Sequence, residues 1–142
     1  MEFPKVDNKK EVGKYDELTM TGGGLIWSKV LEYRVWTKKG MDLDLKAFTT
    51  YKAAAKYQRR MEKKENVIYS RLVVLISQDS YYKPDKNGGY ENKGDKYKLI
   101  NKERITEWKP EWLFEEEIIT KVDEGIVSSG DPDGPHNPYA VR

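Results

Sequence analysis

The sequence predicts an α+β domain in which a mainly antiparallel, four- to five-stranded sheet carries a helix packed on one face. Three observations predict it. Val67 to Gln78 reads Val-Ile-Tyr-Ser-Arg-Leu-Val-Val-Leu-Ile-Ser-Gln, the one long apolar run in the chain, rich in β-branched residues and bounded by charged segments, as a strand covered on both faces would be. Upstream, two stretches that alternate with period two flank a short Gly-containing turn, the pattern of a β-hairpin. Between that hairpin and the apolar run lies a segment with helical spacing.

Residues 1–20 come first in the chain and are polar, mixed in charge and without a sustained period; they are expected to form an N-terminal arm that packs only through Phe3 and Val6. Thr21-Gly22-Gly23-Gly24 reads as a hinge or strand-entry loop, because no Gly-Lys-Ser/Thr follows to make a phosphate loop. In the alternating stretch that ends at Thr37, Leu31, Tyr33 and Val35 fall on one face and Glu32, Arg34 and Trp36 on the other. Lys38-Lys39-Gly40 is the expected turn, and Asp42 to Phe48 alternates again with Leu43, Leu45 and Ala47 inward. On this reading the polar face of the hairpin exposes Arg34 beside Trp36.

Thr49 or Thr50 is the expected N-cap of a helix running to about Glu65. Tyr51, Ala54, Tyr57 and Met61 form its apolar stripe, and Lys52, Lys56, Arg59, Arg60 and Lys63 form the opposing basic face. Arg71 interrupts the apolar run and must find an acid or reach a cleft. Asp79 to Asp95 is dense in turn formers and reads as a long hairpin loop, in which Asn87-Gly88 supplies positive φ and Tyr81, Tyr82 and Tyr90 flank a ligand. Counted from Asp85, the glycine and glutamate positions of an EF-hand are Tyr90 and Lys96, which rejects calcium. Residues 96–108 form one bent strand or two short ones, with Pro110 ending the pairing. Trp112, Leu113 and Phe114 then dock on the core edge through a short helix begun by Pro110 and Glu111.

The composition sets the organisation and narrows the chemistry. The 142 residues suffice for one core: an arm at 1–20, a single α+β domain at 21–120 and an acidic Pro/Gly-rich tail at 121–142, which needs a partner chain to become ordered. No apolar run reaches membrane-span length, mean hydropathy is -0.87, and the N-terminus lacks an apolar signal region, so a cytoplasmic protein with no membrane partner is expected. There is no cysteine, and the single histidine, His136, sits in the tail, which removes thiolate, Cys-zinc and most His-dependent catalysis. Glu103 and Glu107 share a strand face, where acids are usually solvent-facing. Neither an enzyme nor a cofactor is expected. Net charge is +2 overall, but residues 21–110 carry 20 basic and 11 acidic side chains, a +9 body that favours anionic partners unless it is only a solvated lysine-rich surface.

Aromatics stack on bases and arginines fork on phosphates, so Arg34, Arg60 and Arg104 are the phosphate candidates and Trp36 and Trp108 the stacking candidates, with packing as the plainer role of each tryptophan. Glu32-Tyr-Arg-Val-Trp36, the apolar run ending in Gln78, and Glu103-Arg-Ile-Thr-Glu-Trp-Lys-Pro-Glu-Trp-Leu113 resemble segments of small bacterial proteins labelled as acetyltransferases, although an acetyl-CoA loop of the Arg/Gln-x-x-Gly-x-Gly/Ala type is absent. In length, organisation and cysteine-free, Lys- and Tyr-rich composition the chain is also similar to phage Thoeris anti-defence proteins. That resemblance implies a sponge in the host cytoplasm that sequesters a cyclised ADP-ribose signal or a cyclic oligonucleotide, and it assigns no binding residue. The leading expectation is therefore a non-enzymatic homo-oligomer that captures a small nucleotide-derived ligand. Nucleic-acid binding by the basic helix face is the first alternative, and a protein-interaction module using Trp112, Phe114 and the tail is the second.

Overall fold

The computed structural model of the protein describes residues 2–21, 26–82 and 99–114. The glycine run 22–24, the loop carrying Asn87-Gly88 and Tyr90, and the tail 121–142 lie outside the described residues. The elements run in the order β1 (Met20–Thr21), β2 (Lys29–Lys39), β3 (Asp42–Phe48), α1 (Tyr51–Glu62), β4 (Val67–Gln78), β5 (Tyr81–Tyr82), β6 (Leu99–Ile100) and β7 (Arg104–Trp108). Single turns of 3-10 helix occupy Lys9–Glu11 and Pro110–Phe114. The principal sheet has strand order β1-β7-β4-β2-β3, antiparallel throughout except that β1 runs parallel to β7. Strands β5 and β6 pair separately. The expected α+β architecture is what the chain adopts, with the apolar run at the centre of the sheet and α1 packed against it.

Of residues 96–108, the described part, 99–108, holds two short strands in different sheets. Their continuation, Pro110–Phe114, forms the expected short helix and buries Pro110, Trp112 and Leu113. In α1, Thr50 Oγ1 accepts from the Ala53 N–H at 3.1 Å, the N-cap of a helix whose Ala54 and Met61 are buried. The helix stops at Glu62, earlier than expected, because Lys64 donates to the Met61 carbonyl and Val67 to that of Lys64, a turn that feeds the chain into β4.

The hairpin departs from the sequence reading in its register. Its turn is Gly40-Met41, with Gly40 at φ 57, and Lys39 pairs with Asp42. The register then sets Arg34 beside Ala47 and Trp36 beside Leu45, so Leu43, Leu45 and Ala47 share a face with Arg34 and Trp36 and not with Tyr33 and Val35. Tyr33, Val35, Val74 and Trp108 point to the α1 side; Glu32, Arg34, Trp36 and Glu107 point to the other.

That other face is covered by the N-terminal arm, which is a structural layer and not a peripheral loop. Beyond Phe3 and Val6, the Gly13 N–H donates to Glu32 Oε1 at 2.8 Å on that face, the Asp7 N–H donates to the Val30 carbonyl at 2.8 Å, and the start of the arm lies on the α1 side, where the Tyr33 hydroxyl donates to the Pro4 carbonyl. Phe3 stacks on Tyr51 with ring centroids 3.7 Å apart. The arm carries too little apolar periodicity to announce this, because it packs chiefly through backbone hydrogen bonds. Among the described residues no helix is long and apolar enough to cross a membrane.

Candidate anion-binding face

The five residues singled out from sequence do not converge. Arg34 and Trp36 are buried on the arm side of the sheet, with relative exposures of 0% and 6%. Trp108, at 1%, is buried on the α1 side, so the sheet separates the two tryptophans and they cannot line one pocket. Arg104 is half-buried with its guanidinium 3.5 Å over the Tyr81 ring, its Nε donating to Gln78 Oε1 at 2.7 Å. Arg60 alone is exposed, on α1. Gln78 lies eight residues along β4 from Ser70, where the end of α1 docks, roughly 26 Å at strand rise. The expected exposure of Arg34 beside Trp36 is therefore corrected: both belong to a buried polar cluster.

In that cluster Arg34 Nε donates to Glu32 Oε2 at 2.6 Å and Nη1 to Glu107 Oε2 at 2.9 Å, while the same guanidinium donates to the Asp16 and Glu17 carbonyls of the arm. Trp36 Nε1 donates to Glu107 Oε2 at 2.9 Å. All three guanidinium nitrogens of Arg34 are engaged within the chain and the side chain is fully enclosed, which keeps it from an external ligand. Glu107, read from sequence as solvent-facing, is buried here instead. Burial raises its carboxyl above the ordinary 4.5, helped by the Glu32 carboxylate and opposed by the hydrogen bonds from Trp36 and Arg34. A raised folded-state pKa means that the folded chain holds this proton more tightly than the unfolded chain. Its stabilising contribution is complete below 4.5 and is lost as pH rises through the folded value. Glu107→Gln keeps an acceptor for Trp36 and Arg34, and should lessen the fall in unfolding free energy over that pH window. Denaturant titrations of both proteins across the window decide it, and identical slopes would refute the buried titration.

What the fold leaves accessible is the outer face of α1. Lys52, Lys56, Arg59, Arg60, Lys63 and Lys64 are all exposed, and none forms an ion pair among the described residues. Lys52 to Lys63 spans roughly 16 Å of helix, a length comparable to about five phosphates of a nucleic-acid strand. At the flank of α1, Lys46 of β3 lies on the same side of the sheet. Its Nζ sits 4.9 Å from the Tyr57 ring centroid and 5.9 Å from that of Phe48, while the Arg60 guanidinium is 5.4 Å from Tyr57. Two cations thus bracket one partly exposed aromatic ring. Sequence reasoning placed Tyr57 in the apolar stripe and passed over Lys46, since only the fold brings β3 beside α1. Arg71, expected to form an ion pair, has no acid partner among the described residues; it stays half-exposed, 5.4 Å over the Tyr69 ring.

On the arm side, a shallow groove of about 400 Å³ runs beside Tyr15, where Lys29 and Arg104 are offset by Asp7 and Glu103. Its mixed charge gives no net pull on an anion. No group of three or more acids, histidines or cysteines among the described residues is placed to hold a metal. No protein-family model, curated protein or solved structure matches the chain.

Proposed function

We propose that the protein binds a phosphate-bearing polymer, a nucleic-acid backbone, through the basic face of α1 extended by Lys46. The observation that carries this reading is the row of exposed cations along one helix face, without ion-pair partners among the described residues, ending in the Lys46–Tyr57–Arg60 cluster. Affinity comes from neutralised phosphates and released counterions, with Tyr57 offering a ring edge to an unstacked base; no bond is broken and no base sequence is read. Capture of a small cyclic nucleotide is the weaker reading, because three of its five candidate residues are spent in the interior.

The test is titration of a labelled single-stranded and a labelled duplex oligonucleotide with the full chain at several salt concentrations. If about four phosphates are neutralised, log affinity falls against log salt with a slope of about -3.6 on duplex and about -2.8 on single strands. Lys56→Glu combined with Arg60→Glu should cut affinity at low salt by at least tenfold and flatten that slope by about two. Binding that ignores both salt and this double reversal, or that is displaced by a cyclic ADP-ribose or cyclic dinucleotide in one-to-one ratio, would overturn the reading.

A further inference from the structure

Strand β3 is an edge of the principal sheet, and among the described residues nothing pairs with its outer side. In a two-residue turn the flanking residues, here Lys39 and Asp42, exchange both hydrogen bonds. Alternation then turns the backbone groups of Asp42, Asp44, Lys46 and Phe48 toward β2, and those of Leu43, Leu45 and Ala47 outward. A seven-residue row with free outward donors and acceptors is a template for another strand.

The side chains say which strand. Edges are commonly protected by charge, and Asp44 and Lys46 would repel many partners. Against a second copy of β3 running antiparallel and centred on Leu45, however, the five central pairings are complementary, and only at the two ends does a charge, Asp42, stand opposite an aromatic, Phe48. Asp44 meets Lys46 of the copy, Lys46 meets Asp44, Leu43 meets Ala47, and Leu45 meets itself. This is also the register that lets the outward-facing residues 43, 45 and 47 bond one another, giving about six hydrogen bonds between copies. The charge pairs fall at the closer, non-hydrogen-bonded positions on the α1 side, and the apolar pairs on the other. Asp44 is available for this, since its only ion pair among the described residues is an exposed one with Lys39 at 3.5 Å.

We infer that β3 is a homodimer interface, in which two copies join through antiparallel β3 strands into one continuous sheet. The two-fold axis stands perpendicular to that sheet, so both α1 helices lie on the same face. Because α1 packs over β4 and β2 with β3 at its flank, the helices stand roughly 19 Å apart, four strand spacings, with Lys46 and Phe48 of each copy between them. Sedimentation reads the dimer without reference to nucleic-acid binding. Only Lys46 serves both, and it faces Asp44 of the copy in the dimer, so the second copy doubles the α1 cations and not Lys46.

Sedimentation equilibrium of the full chain over a range of concentrations tests it. Wild type should approach twice the 16.6 kDa monomer mass. Lys46→Asp makes both charge pairs repulsive and should raise the dissociation constant about tenfold or more, and adding Asp44→Lys should restore it. Leu45→Pro removes an outward donor while sparing the bonds to β2, and should give a folded monomer by circular dichroism. A monomeric wild type, or a dimer that persists in Lys46→Asp and is indifferent to the compensating change, overturns the interface.

Discussion

Arg34→Met should cost about 3–5 kcal/mol of stability at neutral pH, the penalty of leaving buried carboxylates without their cation. Arg34 is fully enclosed, and Glu32 and Glu107 both face it with almost no exposure to water. Methionine fills most of the volume but returns no donor, so two carboxylates and the Asp16 and Glu17 carbonyls lose their partner together. For a chain of this length the loss corresponds to a melting temperature roughly 10–15 °C lower. The penalty should shrink in acid, where the Glu107 carboxyl, its pKa already raised by burial, can take up a proton. Pairing Arg34→Met with Glu107→Gln should recover part of it, since one carboxylate is then neutral from the start while Glu32 still accepts from Gly13; a non-additivity of about 0.5–3 kcal/mol is expected. Urea titrations of the four proteins supply the numbers. A loss under about 1 kcal/mol in the single variant would mean that the cluster is open to water, and would return Arg34 to the pool of ligand candidates.

The same residue marks where the sequence misleads. Glu32-Tyr-Arg-Val-Trp36 has the alternation of a strand with one wet face, and the period is correct. Periodicity cannot say whether the polar face meets water or another layer of the same chain. Here the layer is the arm, whose contacts run through backbone carbonyls and amides that any sequence supplies. Register is the second gap. A three-residue turn at 38–40 in place of the two-residue Gly40-Met41 leaves both strands intact yet pairs odd-numbered residues with odd ones, which assigns Leu43, Leu45 and Ala47 to the wrong side, because the side-chain period is two. By contrast β4, the Thr50 cap and the α1 faces were legible because each rests on local chemistry: a β-branched apolar run, a hydroxyl before a helix, and apolar residues three and four apart. The basic face of α1 was visible for that reason, whereas its extension through Lys46 needed the tertiary pairing of β3 beside the helix.

Trp108→Ala should destabilise the fold by about 3–5 kcal/mol, as expected for removing a large aromatic from a close-packed site. Trp108 pairs with Val74 on the central strand, and its ring meets that of Trp112 edge-on, with centroids 6.0 Å apart and planes at 69°. Trp112 belongs to the Pro110–Phe114 turn, whose Leu113 carbonyl accepts from Trp27 Nε1 at 3.3 Å, so Trp108 is where β4, β7, that turn and the entry to β2 come together. A cavity there removes the support of the turn as well as its own packing. Amide exchange at 110–114 should therefore accelerate more than exchange in β2 or β3. Trp108→Phe keeps an aromatic edge for Trp112 and should cost clearly less. A tryptophan that served a ligand would behave in the opposite way, since truncating it would spare the melting temperature and weaken oligonucleotide or nucleotide binding. If Trp108→Ala melts near wild type and loses ligand affinity, the residue lines a site; if it melts far lower while the folded fraction binds oligonucleotide as before, binding lies elsewhere, on the outer face of α1.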